Sequence, residues 1–283
     1  MDFAFNASAL GAGGVIERGP VTYTIPSLAS VALAPTGGEG RSVMSNYYSE
    51  ELAFSHAETR VFGRMTRGGD DPQFTTSTYV LLKDVSIFGR IKIGEMSSTV
   101  TSTRGYENDD DHPFDVSVSY DRVTIDGRPV RPLIDTRLAG LTRYADLRRL
   151  LDGRKAYGSE AKGLADSFNT TPDELETYLR DRKPVQTSMI DAIEGLEAWP
   201  EPRTYHVPGL GTVRFAELML KPGRRRLNLV RMRFGRQHHR SGGPQPQAMM
   251  MAEGPFDENT LTGPTGGSMT VGSGEGNGTP IGP

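Results

Sequence analysis

The chain has 283 residues, a formal net charge of -3, 36% hydrophobic and 24% charged residues, 34 Gly, 19 Pro and no Cys. The absence of cysteine excludes disulfides, thiolate catalysis, iron–sulfur clusters and cysteine-ligated zinc. A slightly acidic balance argues against a dedicated nucleic-acid binder, and the Gly and Pro content favours many turns and short strands over long helices.

The opening segment, MDFAFNASALGAGGVIERG, has no basic residue before Arg18 and no long apolar run. No Sec-type signal is expected, so the chain reads as cytoplasmic or as exported by a route without such a signal. Residues 1–14 read as an N-terminal arm. No stretch approaches the roughly 18–20 apolar residues of a membrane helix, so no membrane span is expected.

Residues 15–240 read as a β domain. VTYTIPSLASVALAP suggests strands broken at Pro26 and closed after Pro35. LAFSHAETRVFG alternates, which places Leu52, Phe54 and His56 on one side and Ala53, Ser55 and Ala57 on the other. The stretch from Phe74 to Ser102 is rich in Thr, Val and Ile and free of proline, the composition of long central strands. In FDVSVSYDRVTIDG, Phe114, Val116 and Val118 share a face, and Asp126-Gly127 marks a hairpin turn.

The pattern then turns helical. LTRYADLRRLLDG gathers Tyr144, Leu147, Leu150 and Leu151 on one face, with Thr142 as cap and Gly153 as stop. In TTPDELETYLRDRKP, Thr171 can cap, Pro172 suits the first turn, and Glu174 completes a capping box. A helical insert is expected over 136–183. β signals return at VQTSMIDAIEG, RTYHVPGLGTVRFAELML and RRLNLVRMRFG. That order predicts one sheet system with an insertion: a mostly β fold, an antiparallel β-sandwich or barrel-like domain with a small helical insert and an extended C-terminal tail.

The tail, 241–283, holds eleven Gly and six Pro in 43 residues, above the roughly 25–30% typical of unstructured tracts. GSGEGNG reads as a linker. Such a segment gains order by lying on a sheet or on a neighbouring copy.

KPGRRRLNLVRMRFGRQHHR, 221–240, holds eight Lys or Arg and no acidic residue. Read as a strand, it puts Val230, Met232 and Phe234 on one face and Leu227, Leu229, Arg231 and Arg233 on the other. Its basic ends lie roughly 30 Å apart, a dispersed stripe that suits a solvated face or an acidic neighbour. Lys221, Arg224, Arg225, Arg226, Arg231 and Arg233 are the candidate contacts for a partner or an anion. Trp199, the single tryptophan, stands in the Pro-bounded EAWPEPRTY and is a candidate partner contact or a core filler. In ENDDDHP, Glu107, Asp109 and Asp111 are the candidate ligands for a metal, with Ca2+ the cation they would take, although the spacing fits no EF-hand.

No nucleophile elbow, Walker A loop, H-E-x-x-H or complete dinucleotide fingerprint occurs. His206 reads as a strand residue beside VPGLG, with a general-base role as the alternative. Paired carboxylates such as Glu194 with Glu197, or Glu50 with Glu51, would be the glycosidase-type candidates. The favoured expectation is a non-enzymatic structural or binding protein, a self-assembling homo-oligomer that uses its terminal segments for contacts. The alternatives are a hydrolase or carbohydrate-active protein with a site built from distant strands, and nucleic-acid or anionic-surface binding through 221–240.

Overall fold

The computed structural model describes residues 2–68, 71–105, 112–155, 158–168, 170–196, 203–235 and 266–281. The strands are β1 (Asp2–Arg18), β2 (Val21–Leu28), β3 (Val31–Ala32), β4 (Gly38–Tyr48), β5 (Leu52–Gly68), β6 (Asp71–Ile87), β7 (Ile91–Arg104), β8 (Phe114–Ile125) and β9 (Arg128–Ile134). Four helices follow: α1 (Thr136–Ala139), α2 (Tyr144–Lys155), α3 (Gly158–Ser167) and α4 (Pro172–Arg180). The chain then continues through β10 (Val185–Ser188), β11 (Ile190–Glu194), β12 (Tyr205–Val207), β13 (Gly211–Lys221), β14 (Arg224–Phe234) and β15 (Gly266–Ile281). Sheet I runs β10-β13-β14-β15-β1-β2, with β12 beside β13 and β3 beside β1; sheet II runs β11-β9-β8-β7-β6-β5-β4. The ladders are antiparallel and the two sheets pack as a sandwich, not as a closed barrel. No described helix is long and apolar enough to cross a membrane.

The ends of the chain lie inside sheet I. Residues 2–18 are one strand, paired with β15 along one side and with β2 and β3 along the other. The expected N-terminal arm is therefore a central strand. Phe5, Ala7 and Ala9 alternate into the core, a pattern easily missed because alanine carries a weak apolar signal. The C-terminal segment is extended, but within the sheet: β15 lies between β14 and β1. Its glycines answer a close approach of the sheets. A Cβ on Gly274 would fall 2.5 Å from Thr78 Oγ1 of β6, so a side chain there would collide. GSGEGNG is thus a strand chosen for thinness and not a linker. Residues 236–265 lie outside the described set.

Each sheet is crossed by a row where the pleat reverses. In sheet II the row passes through Asn46, Ser55, Asp84, Gly94 and Arg122; the ladders pair Lys83 with Glu95 and Val85 with Ile93, but not the residues between. Alternate strands are left-handed there: Asn46 at φ 57°, Asp84 at 51° and Arg122 at 50°. In sheet I the row passes through Ala29, Gly11, Gly272, Leu229 and Ala216, with φ 46° at Ala29, 69° at Gly272 and 47° at Ala216. A left-handed residue costs roughly 1–2 kcal/mol when it is neither Gly nor Asn/Asp, so tertiary contacts must hold Ala29, Arg122 and Ala216 in place.

The reversal shifts the buried side by one residue. β5 buries Leu52 and Phe54, then Ala57, Thr59 and Val61. The unbroken alternation expected of LAFSHAETRVFG, with His56 beside Phe54, fails at Ser55. β14 likewise buries Arg225, Leu227 and Leu229, then Val230, Met232 and Phe234. Arg231 and Arg233 therefore do not share a face with Leu227 and Leu229.

The two rows face each other. Tyr120 of β8 reaches across the core, accepts the Ala216 N–H at 2.8 Å and donates to the Leu229 carbonyl at 2.6 Å. It fills the rung that β13 and β14 leave unmade.

The helices bridge the sheets between β9 and β10. Leu147, Leu151 and Leu175 are fully buried, and Thr187 Oγ1 donates to the Ser167 carbonyl at 2.6 Å. Thr171 and Glu174 form the capping box of α4. α2 continues through Gly153, expected as its stop, to Lys155. At Met189 the chain passes from sheet I to sheet II: its N–H bonds Ala216 and its carbonyl accepts from Asp135.

Candidate functional site

The pleat reversal sorts the arginines of β14. Arg225 points inward and is 0% exposed, with its guanidinium 4.7 Å from the centre of the Phe114 ring and donating to the His112 carbonyl at 3.1 Å. It is a core residue at the end of the sandwich and not a surface contact, because strand alternation turns it away from solvent. Arg224, Arg226, Arg231 and Arg233 point outward. Arg224 pairs with Glu275 at 2.5 Å and Arg226 with Asn228 Oδ1 at 3.3 Å. Lys221 is exposed at the end of β13.

Arg231 lies at the centre of the outer face of sheet I. Register places it directly opposite Arg214 on β13 and Thr270 on β15. Arg233, two residues on, lies opposite Thr212 and Ser268. Arg231 donates to Thr270 Oγ1 at 2.6 Å and to Ser268 Oγ at 3.2 Å. Arg214 donates to Thr204 Oγ1 at 2.8 Å and stands 3.6 Å from Glu217. Thr204, Thr212, Arg214, Arg231 and Arg233 enclose a small pocket of ≈ 10 Å³. Burial lowers the Arg231 pKa; Glu217 opposes that effect, and the charges of Arg233 and Arg226 add to it.

A second cross-strand arginine pair provides an internal comparison. Arg41 and Arg60 are also in register, on β4 and β5 of sheet II. There Glu58 accepts from both, at 2.6 Å each, and those hydrogen bonds lower its pKa from 4.5 to about 2. Beside this pair, Glu39, Gly40, Arg41, Arg60, Val61 and Phe62 line an open hollow of ≈ 470 Å³.

A further charged cluster, around Asp135, is structural. Burial would raise the Asp135 pKa, but hydrogen bonds from Arg137 and Arg203 hold it well below the carboxylate range. Asp135 also caps α1 through the Arg137 N–H. Arg203 donates to the Ser188 carbonyl at 2.5 Å, so this cluster joins the helical insert to the point where the chain changes sheets.

β4 is the edge of sheet II. It is 11 residues long, and among the described residues no strand pairs with its outer side. Val43 is 44% exposed and Tyr48 85%. β2, the edge of sheet I, exposes Val21 and Tyr23 on the same side of the sandwich. An Arg18–Glu50 ion pair of 3.1 Å joins the two edges at one corner.

Of the sites expected from sequence, Glu107, Asp109, Asp111, Trp199 and Glu197 lie outside the described residues. No group of three or more metal-binding side chains occurs among the described residues. His206 is exposed on β12, Glu194 is exposed, and Glu50 and Glu51 both face Arg18. Arg214, Thr204 and Thr212 were missed, because their convergence depends on the β13–β14 register.

A family described as a domain of unknown function (DUF8256) matches residues 3–221. No curated protein and no solved structure matches.

Proposed function

We propose, for a chain that belongs to the DUF8256 family, a non-enzymatic structural or binding role as a self-assembling β-sandwich subunit. The observation that carries this reading is the outer edge of β4, unpaired among the described residues and eleven residues long with exposed Val43 and Tyr48. An open edge presents a row of N–H and C=O groups that another strand can satisfy. Natural edges are usually guarded by charged side chains, proline or a bulge; β4 has no lysine and no proline, and its charged residues, Glu39 and Arg41, lie at one end, away from Val43 and Tyr48. The occupant we assign is a second copy, paired edge to edge, since an antiparallel strand can pair with itself about a two-fold axis.

The contacts are thereby moved from the terminal segments to the edge, because β1 and the described part of the C-terminal segment already pair within the chain. The hydrolase or carbohydrate-active alternative has less support. Glu58 and Asp135, two carboxylates held well below the carboxylate range, each neutralise two arginines, as ion-pair partners do and general acids do not.

Size-exclusion chromatography with light scattering tests the reading. The wild type should form dimers or larger species, and Val43→Lys with Tyr48→Lys should give monomers of unchanged far-UV circular dichroism. A wild type that is monomeric at every concentration, or assembly indifferent to both lysines, refutes it.

A further inference from the structure

We propose that the outer face of sheet II binds a neutral saccharide chain, seated in the hollow between β4 and β5 and continuing across β6 and β7.

Two neighbouring rungs of the sheet make the site. In one, Glu39 faces Phe62, Phe62 faces Ser77 and Ser77 faces Thr101. In the next, Arg41 faces Arg60, Arg60 faces Tyr79 and Tyr79 faces Thr99. Residues directly opposite on paired strands share a face, as do alternate residues along a strand, so these side chains stand together. The hollow, ≈ 470 Å³, opens between the two rungs, and its size lies within the roughly 300–1,000 Å³ of ligand sites. Gly40 brings no side chain and Val61 turns its own into the core, so backbone forms the floor.

The lining supplies donors, an acceptor and an aromatic ring. Glu58 engages only the Nε–H of Arg41 and of Arg60, at 2.6 Å each, and more than half of each arginine side chain is exposed. Their terminal N–H groups remain as donors at the hollow. Glu39 is exposed and, among the described residues, makes no hydrogen bond or ion pair, so its carboxylate is an acceptor. The Phe62 ring lines the same hollow, with Arg64 5.8 Å from its centre. A sugar ring matches this set: its hydroxyls both donate and accept, and the polarised C–H groups of its faces are attracted to the negative face of an aromatic ring.

Charge and extent narrow the choice. Glu39 and Glu58 offset Arg41 and Arg60, which favours a neutral ligand over an anion or a cation. A zwitterion such as a peptide would also suit the hollow by itself. Beyond the hollow, however, the two rungs carry Ser77, Tyr79, Thr99 and Thr101 and no charge, and the Ser77 and Thr101 hydroxyls are hydrogen-bonded at 2.9 Å. Further sugar hydroxyls find partners there and further peptide charges do not. The site holds the chain without cleaving it, since Glu58 is committed to two arginines. It is also separate from assembly: pairing at the β4 edge extends the sheet in its plane and leaves this face open.

Isothermal titration calorimetry of the whole chain tests this, with cellohexaose, laminarihexaose, maltohexaose, mannohexaose and xylohexaose, their monosaccharides, and glycylglycine as the zwitterion. At least one hexasaccharide should bind, and more tightly than its monosaccharide, because the rungs beyond the hollow add contacts. Phe62→Ala should weaken that binding by about tenfold, the scale of one lost aromatic contact. Glu39→Gln, at an exposed position, should keep the fold and weaken binding severalfold, and Tyr48→Lys should leave it unchanged. Binding of no hexasaccharide, a response to glycylglycine alone, or hexasaccharide binding unchanged in a folded Glu39→Gln and in Phe62→Ala overturns the proposal. A Phe62→Ala chain that loses mass in light scattering, in a protein whose wild type ignores every sugar, assigns the hollow to a second copy instead.

Discussion

Tyr120, rooted in one sheet, accepts the backbone N–H of Ala216 in the other sheet at 2.8 Å. The same hydroxyl donates to the Leu229 carbonyl at 2.6 Å. Burial raises the phenol pKa well above its ordinary range, so it stays a neutral donor and acceptor at any ordinary pH. One side chain thus completes the rung at which the pleat of sheet I reverses and fixes how the two sheets align.

Tyr120→Phe should leave a buried N–H and a buried C=O without their partner. The expected loss is about 1–3 kcal/mol, measured by urea unfolding, with an unchanged m value because the same surface is exposed. A loss within experimental error would show that the rung does not depend on the phenol.

The glycines of β15 should differ in tolerance. A Cβ on Gly274 would fall 2.5 Å from Thr78 Oγ1, whereas one on Gly276 would lie 3.6 Å from Thr76 Oγ1. Gly274→Ala should lower the melting temperature clearly, by an overpacking cost of about 1–3 kcal/mol. Gly276→Ala should change it little. Thr78→Ala should recover part of the Gly274→Ala loss. Equal effects at the two glycines would contradict the close approach of β15 to β6.

Acid should weaken the fold through Glu58. Its folded pKa of about 2 lies below the ordinary value of 4.5 because Arg41 and Arg60 hydrogen-bond the carboxylate. A depressed folded pKa gives stability that is present above the unfolded value and lost as pH falls toward the folded one. Stability should therefore decline between about pH 4.5 and about pH 2. Glu58→Gln should be less stable at neutral pH and show a shallower decline in that window, measured by denaturant midpoints across pH. A parallel decline in wild type and variant would remove Glu58 as its source.

Much of the candidate site was visible in the sequence as composition. Arg231 and Arg233 stood out in a basic run, and strand alternation already set them apart from Phe234. The sequence did not reveal that Arg225, one residue from Arg224, is buried against Phe114, nor that Arg214 faces Arg231. Alternation along one strand can be read locally; the pairing between strands is set by turns, bulges and packing far away.

The sequence alone determined what depends on near neighbours. β-branched runs made the central strands, Asp126-Gly127 closed a hairpin, and Thr171 with Glu174 started a helix, since propensity, turn chemistry and capping act over a few residues. Tertiary structure decided where the glycine-rich end belongs. A strand of Gly, Ser and Asn has little apolar signal of its own, and it becomes a strand because β1 and β14 offer it hydrogen bonds and Thr78 leaves it no room for side chains. Tertiary structure also decided where the pleat reverses, because a left-handed Ala216 is held by a hydroxyl nearly a hundred residues away in the chain.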